Sequence, residues 1–475
     1  MEYWIKCNEC KGMGNLKQRP RKSLRIAYQL KRKTLEQSNQ LKVPPSPPKE
    51  HYKPCPNCKG AGVISTDTPP LPNKDYPHVA IVGGGIGGVA LAIACLHRQI
   101  PFSLFERDLS FDVRSQGYGL TLQQASPVMK AFGIFSLQEG VISSKHVVHN
   151  TEGNIIGEWG MRKWLKEEAN KTSKRSNIHI ARQSLRMALL AQLKGSNSIH
   201  WGHDFIDFKD EEKGRIALNF NHKGKHKTVK ADLLVGADGI RSSVRDKLKL
   251  NQNAPLNYLG CIVILGICPL NKLKNRSHPL LDSATVFQTV NGKERMYMMP
   301  YDTDSIMWQF SFTLPEKEAK NLSRQGAPAL KKETLKRTKW HAPIPQIISA
   351  TEEHLVSGYP VYDRIILTPK ALQQENQATL IGDAAHPMSP FKGQGANQAL
   401  LDAITLARGI TKNCGPSSQW KVMGIRKAVL KTFETEMIER SSAKVKASAA
   451  AAKFLHTEAV LQERNEPRRS FLKNN

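Results

Sequence analysis

The sequence predicts an α/β fold. A parallel sheet is followed by a second, sheet-rich domain and C-terminal helices, and a small cysteine-rich segment precedes them. Three motifs carry the prediction, each directly after an apolar run of strand length. They read Val82-Gly83-Gly84-Gly85-Ile86-Gly87-Gly88, Val235-Gly236-Ala237-Asp238-Gly239-Ile240-Arg241 and Ile381-Gly382-Asp383-Ala384-Ala385-His386-Pro387. The last is followed by Pro390 and Gly393-Gln394-Gly395.

Val79-Ala80-Ile81-Val82 reads as a buried strand. Gly83, Gly85 and Gly88 then give the G-x-G-x-x-G spacing of a Rossmann-type turn. The first glycine permits the turn, the second lets backbone approach a pyrophosphate, and the third lets the next helix pack close. Val89 to Leu96 reads as that helix, with its N-terminus toward the phosphates. A second strand, Phe102 to Phe105, ends at Glu106, which lies 18 residues past Gly88, where a ribose-binding acid is expected. Strand, helix, second strand and acid together favour a bound dinucleotide over an idle glycine turn. With the Asp238 and Asp383 motifs, the set points to FAD.

At 475 residues the chain has room for two or three domains. No signal peptide is expected from the start MEYWIKCNECKG. The apolar stretch His78–Leu96 has glycine spacing unlike a membrane span, and Leu259–Ile267 is too short for one. Net charge is +29, and residues 1–76 hold fifteen Lys/Arg against six Asp/Glu. That balance suits nucleic acid, an anionic partner or plain solvated lysines. Of eight cysteines, four form two C-x-x-C pairs and four stand alone, which suggests a reducing, cytoplasmic setting with one metal site.

The expected organisation follows composition. Residues 1–65 form a four-cysteine, zinc-finger-like segment with a basic, helix-patterned insert, and 66–77 a proline-rich linker. Residues 78–131, 168–248 and 375–410 form the FAD-binding domain, 132–167 and 249–374 the substrate domain, and 411–475 the C-terminal helices. Residues 249–374 alternate apolar and polar, as sheet does. Met296, Met298, Trp308 and Phe310 are candidates for the pocket or for plain sheet core, and alternation alone does not say which face meets the pocket.

The order of motifs over residues 78–440 resembles the single-component (group A) flavoprotein monooxygenases of the aromatic hydroxylase type, the para-hydroxybenzoate hydroxylase fold. Residues 235–245 (VGADGIRSSVR) look like that family's DG motif, and 380–397 (LIGDAAHPMSPFKGQGAN) like its GD motif and flavin-facing turn. The GD match is similar to the tetracycline-inactivating members. Those members often lack an intact DG motif, which this chain keeps.

The resemblance implies FAD, with NAD(P)H and O2 as co-substrates and hydroxylation of an aromatic or polycyclic small molecule through a C4a-hydroperoxyflavin. A tetracycline-inactivating activity is the narrower alternative. The flavin carries the chemistry, so no catalytic side chain is assigned. Asp383 would accept hydrogen bonds from ribityl hydroxyls, and Pro390, Gly393 and Gly395 would bring backbone to the ring. The helix starting there would place its positive end by flavin N1–C2=O. Glu106 matches the adenosine-ribose acid, with Arg107 beside it, and Asp238 the DG aspartate, which could otherwise simply cap Ile240–Lys247. Arg182, in I-x-R-x-x-L, matches an FAD-contacting arginine. Arg114 and Thr121 align with flavin- and NADPH-proximal positions. One G-x-G-x-x-G implies that NAD(P)H docks transiently.

Three rival readings remain. A halogenase would show Trp-x-Trp-x-Ile, and Trp159 and Trp164 are not so spaced. An FAD-dependent reductase of isoprenoid type is another. The third is an FAD-binding nucleic-acid or protein-interaction factor acting through its basic finger. In that finger, Cys7, Cys10, Cys55 and Cys58 lie in two C-x-x-C-x-G-x-G units, with 44 residues between Cys10 and Cys55. Each unit puts two thiolates on one tight turn, suited to one zinc ion held tetrahedrally by four cysteines. Closing the longer loop costs only about 1 kcal/mol more than a usual finger loop, against on the order of 10–16 kcal/mol from structural zinc. Free or redox-active dithiols are the alternative. The units resemble the zinc repeats of DnaJ-type chaperones over eight residues each.

Overall fold

The computed structural model describes residues 2–37, 45, 47, 50–113, 117–123, 125–160, 177–194, 196, 198–252, 254–373 and 377–465. Its central element is a five-stranded sheet in the order Ile199–Trp201, Phe102–Glu106, Val79–Val82, Leu233–Gly236, Ala378–Leu380. All its pairings are parallel. Val79–Val82 and Leu233–Gly236 are buried throughout, as continuous apolar strands covered on both faces must be. Register sets Phe105, Val82, Gly236 and Leu380 side by side at the strands' carboxyl ends. The helix Ile86–His97 leaves the first glycine turn and packs against the helix Gly395–Asn413. A three-stranded antiparallel layer, His203–Glu211, Arg215–His222 and Lys225–Ala231, joins this region.

The second sheet has seven strands in the order Ile155–Trp159, Lys145–His149, Thr285–Val290, Glu294–Pro300, Ser305–Thr313, Leu256–Pro269, Val356–Arg364. Residues 249–374 are not sheet alone. Helices Glu316–Arg324, Gly326–Arg337 and Ile344–Ala350 interrupt the strands and cover one face. Their amphipathic spacing is masked by the strand alternation on either side.

Register settles which face is which. Met298 pairs with Trp308 and Met296 with Phe310, and these four are buried with Leu330, Ile344 and Ile347 of the helices. Trp308 Nε1 donates to Thr351 Oγ1 at 2.9 Å. The four are therefore sheet core. Tyr297 pairs with Gln309 and Met299 with Met307 on the opposite face, toward the cleft.

The N-terminal segment is built from two antiparallel ribbons, Tyr3–Lys6 with Val63–Thr66 and Asn15–Gln18 with His51–Pro54. The basic insert forms a largely exposed helix, Lys22–Gln37. Trp4 packs on Phe135 with ring centroids 4.8 Å apart and planes tilted by 33°, so this segment docks on the main body. The C-terminal helix Lys431–Phe454 is likewise integral. Phe433, Met437 and Ile438 enter the central core, and Glu434 Oε1 accepts from Thr379 Oγ1 at 2.8 Å. Among the described residues no helix is long and apolar enough to cross a membrane.

Candidate active site

Of the five loops at the carboxyl ends of the parallel strands, three carry the sequence motifs and a fourth follows Glu106. Each glycine of the first turn has a separate reason. A Cβ on Gly88 would lie 1.9 Å from Gly83 O, and one on Gly83 would lie 2.5 Å from Ala237 O. These two are glycine because the protein itself presses on them. A Cβ on Gly85 would meet nothing within 4 Å and would project into the open cleft. Its need for glycine lies with an occupant of that cleft. Among the described residues the helix starting at Ile86 has no side-chain cap, which leaves its first N–H groups available to an anion.

Around this turn the polar groups converge. Glu106 is buried. Its Oε2 accepts from Gly84 N at 2.6 Å, and its Oε1 from Asp108 N at 3.0 Å. It thus holds the glycine turn and keeps further acceptor capacity for a ribose hydroxyl. Asp238 Oδ2 accepts from Val244 N at 3.1 Å, so the helix-capping role is real, although Ser242 caps that helix as well. Asp238 Oδ1 is buried without a hydrogen-bond partner among the described residues. Burial raises the Asp238 pKa against the hydrogen bonds that lower it. Arg182 begins the helix Arg182–Ala191 and lines the cleft with Arg107 and Tyr118. One turn later, Arg186 is buried over the rings of Phe111 and Trp201 and donates from Nε to Gly84 O at 2.8 Å. Sequence reading missed Arg186, although its i+4 spacing from Arg182 signals it. Arg114 lies outside the described residues.

The Asp383 loop is held from behind by a buried network that motif reading also missed. Asp402, fully buried on the helix Gly395–Asn413, accepts through Oδ2 from Gly382 N at 2.8 Å and His386 Nε2 at 2.7 Å. Its Oδ1 accepts from Arg440 Nη2 at 2.8 Å. Burial alone would lower the His386 pKa, but the Asp402 carboxylate raises it above the ordinary imidazole range. Burial would raise the Asp402 pKa, and His386 with Arg440 holds it below the carboxylate range. Arg245 of the second motif is also fully buried and donates from Nη1 to Ala384 O and Ala385 O at 2.9 and 3.0 Å. It ties the Asp238 loop to the Asp383 loop. The Asp383 side chain faces the cleft, as do Gly395 and Ala396.

Beyond Asp383 the turn Pro390–Lys392 leads through Gly393 into the helix Gly395–Asn413, which again lacks a side-chain cap. Buried Asn397 clamps this turn. Its Oδ1 accepts from Gln123 N and Ala125 N at 2.9 and 3.1 Å, and its Nδ2 donates to Thr121 O and Gly393 O at 2.9 and 2.8 Å. Thr121 Oγ1 bonds His179 Nδ1 at 3.0 Å. Pro390, Gly393, Gly395 and Thr121 thus share one wall of a cavity of about 1900 Å³. The second sheet supplies Gln288, Arg295, Tyr297 and Gln309 opposite, and Lys444, Ala451 and Leu455 of the C-terminal region line it too. Burial pushes His146 down to about 4 and His179 down to about 3, so both imidazoles in this cavity are neutral near pH 7.

A family model described as FAD binding domain matches residues 76–415. Aurachin C monooxygenase/isomerase of Stigmatella aurantiaca is 30% identical over 336 residues, covering 70% of this chain and 79% of its own. The chain belongs to the group A FAD-dependent monooxygenases. The chloroplastic zeaxanthin epoxidase of Solanum lycopersicum is 29% identical over 72% of this chain, which spans about half (49%) of that relative's length. Among solved structures, a variant of Klebsiella pneumoniae HpxO complexed with FAD shares the fold at a TM-score of 0.67 and 17% identity, covering 82% of this chain and 95% of that one. The unpartnered Asp238 Oδ1, the two uncapped helix ends and the open space beside Gly85 all fit FAD.

Two outcomes follow. Gly85→Ala leaves the unfolding temperature near that of the parent while weakening FAD retention by tenfold or more. Gly88→Ala lowers the unfolding temperature itself, because its Cβ overlaps Gly83 O. Thermal unfolding with and without added FAD separates the two. The His386–Asp402 pair sets a pH dependence. A raised imidazole pKa contributes stability that is full below about 6.5 and is lost as pH rises through the elevated value. The lowered Asp402 contributes above its ordinary pKa and fades as pH falls through the depressed one. Unfolding temperature therefore falls on the alkaline side, and Asp402→Asn flattens that slope while costing about 3 kcal/mol or more.

Proposed function

We propose that this monooxygenase uses NAD(P)H and O2 to insert one oxygen atom into an electron-rich aromatic or polycyclic compound held in the large cavity. FAD, when bound, supplies the electron transfer and the oxygen activation. The chain supplies position, charge and exclusion of water. In this reading Glu106 and Arg107 hold the adenosine half, and the uncapped helix at Ile86 takes the pyrophosphate. Arg182, Asp238 and Asp383 hold the middle of the cofactor. Pro390, Gly393, Gly395 and Thr121 would hold the ring end of the cofactor, and Arg114 is assigned there by the resemblance alone. The N-terminus of Gly395–Asn413 offers free N–H groups where negative charge builds on reduction. The sequence holds a single G-x-G-x-x-G, which supports transient docking of NAD(P)H in the same cavity. A cavity of about 1900 Å³ has room beyond the few hundred Å³ of a small substrate alone.

The observation that carries the substrate reading is Arg295. Its guanidinium is buried on the cavity face of the second sheet, above Tyr297 at 4.8 Å and Phe391 at 5.9 Å from their ring centroids. Nε donates to Gln288 Oε1 at 2.9 Å, and Nη1 has no partner among the described residues. Burial lowers its pKa to about 10, so it stays charged at neutral pH. A buried, unpaired donor on a cation favours a substrate oxygen that carries negative charge, such as a phenolate or enolate. His146 stacked on Trp159 adds a flat apolar surface nearby. HpxO has been seen with uric acid, and 2,6-dihydroxypyridine-3-hydroxylase of Arthrobacter nicotinovorans shares the fold at a TM-score of 0.67.

The test is substrate-stimulated NAD(P)H oxidation with O2 uptake across phenolic and polycyclic aromatics, tetracycline included, with product mass read for each hit. A gain of one oxygen atom is expected. A product changed only by two hydrogens refutes oxygen insertion. Arg295→Met is expected to raise KM for acidic substrates by about 10- to 100-fold, the equivalent of about 1.5–3 kcal/mol for a charge-assisted hydrogen bond. Neutral analogues should be spared. Equal losses for acidic and neutral compounds would remove Arg295 from substrate recognition.

A further inference from the structure

The four N-terminal cysteines form a closed cluster. All are buried, and their four Sγ atoms lie within 4.8 Å of one another. Cys7 and Cys55 Sγ are 3.9 Å apart, and Cys10 and Cys58 Sγ 3.7 Å. A tetrahedron of sulfurs at the usual zinc–sulfur length has edges of about 3.8 Å. The separations are far too long for disulfides, and all four cysteines are free.

The surrounding backbone has approximate two-fold symmetry. Cys7 N donates to Gly62 O at 2.9 Å, and Cys55 N to Gly14 O at 2.8 Å. Gly14 N donates to Cys10 Sγ at 3.2 Å, and Gly62 N to Cys58 Sγ at 3.1 Å. Amides aimed at sulfur favour the thiolate form. Both glycines have positive φ, and a Cβ on either would strike the opposite unit, at Gly60 O or Gly12 O. The last glycine of each C-x-x-C-x-G-x-G unit is therefore set by the interlock of the two units.

Against this cluster the FAD domain presents two arginines. Arg98 caps the helix Ile86–His97, is fully buried, and donates from Nη2 to Gly12 O at 2.9 Å. Arg408, on the far half of the helix Gly395–Asn413, has Nη2 only 3.1 Å from where a Cβ on Gly14 would stand. Neither arginine forms an ion pair among the described residues, and the Nε of each is buried without a partner. A buried and a half-buried cation, with no carboxylate paired to either among the described residues, need a counter-charge.

We propose that Cys7, Cys10, Cys55 and Cys58 bind one zinc ion, and that the resulting tetrathiolate dianion is the counter-charge for Arg98 and Arg408. Zinc binding displaces the thiol protons, so four thiolates and one Zn²⁺ leave a net charge of −2, matched by the two guanidiniums. The site thereby ties the N-terminal module to the two helices whose opposite ends face FAD. Thirteen residues of helix, about 20 Å, separate Arg408 from Gly395. Metal loss would leave buried Arg98 and half-buried Arg408 uncompensated at the base of those helices, so zinc occupancy and FAD retention become linked.

The experiment uses the full-length protein. Metal analysis should find about one zinc per chain. Arg408→Met should weaken zinc by tenfold or more in competition with a chromophoric chelator, whereas Arg408→Lys restores most of it. Chelation of the parent should speed FAD release, read by flavin fluorescence, and speed it less in Arg408→Met, where one stranded cation is gone. These readouts need no Cys→Ser variant to fold. A folded protein with less than a tenth of a zinc per chain, its cysteines present as free dithiols, overturns the site. Zinc held by Arg408→Met as tightly as by the parent overturns the counter-charge, as does FAD release that chelation leaves unchanged.

Discussion

The cleft depends on one constraint: the carboxyl ends of neighbouring parallel strands must stay level. Phe105, Val82, Gly236 and Leu380 are set side by side by the sheet's hydrogen bonds. Because they are level, the glycine turn, Glu106, Asp238 and Asp383 open onto one surface. A slip of one residue in a parallel strand would turn its side chains to the other face and move its loop by about 3.3 Å. Arg245 and Asp402 reinforce the same arrangement from behind, through carbonyls and amides of the Asp383 loop. Neither needs to touch FAD to matter for it.

Charge follows the same geometry. Two uncapped helix ends bring positive potential to the front of the cleft. Arg98 and Arg408 bring positive charge to the farther parts of those helices, where the cysteine cluster stands. On the substrate side, His146 and His179 are kept neutral by burial, and Arg295 remains charged. The cavity thus combines flat apolar surface with a buried cation, a pairing suited to an ionised aromatic.

What was legible in the sequence was local. The three motifs, the C-x-x-C repeats and the strand alternation of Glu294–Pro300 and Ser305–Thr313 each involve residues within one turn or strand. What was not legible depends on distant partners. Asn397 joins Thr121, and Asp402 joins His386 and Arg440, across separations no spacing rule spans. Alternation identified two faces of the second sheet but could not say that Met296 and Trp308 face helices while Tyr297 and Gln309 face the cavity. That choice is made by Glu316–Arg324, Gly326–Arg337 and Ile344–Ala350, hidden in a stretch dominated by strand pattern. Arg186 carried a helical signal beside Arg182, and only the structure shows it reaching Gly84 O.

The central claim is that the level strand ends form a site for one whole FAD, from adenosine to flavin ring. Flavin released by acid from the purified protein, separated and quantified against protein, tests it most directly. FAD at close to one per chain, released without covalent attachment, is the expected result. FMN in its place, or a chain purified and reconstituted without any flavin, would contradict it, because Glu106 would then have no adenosine ribose to hold.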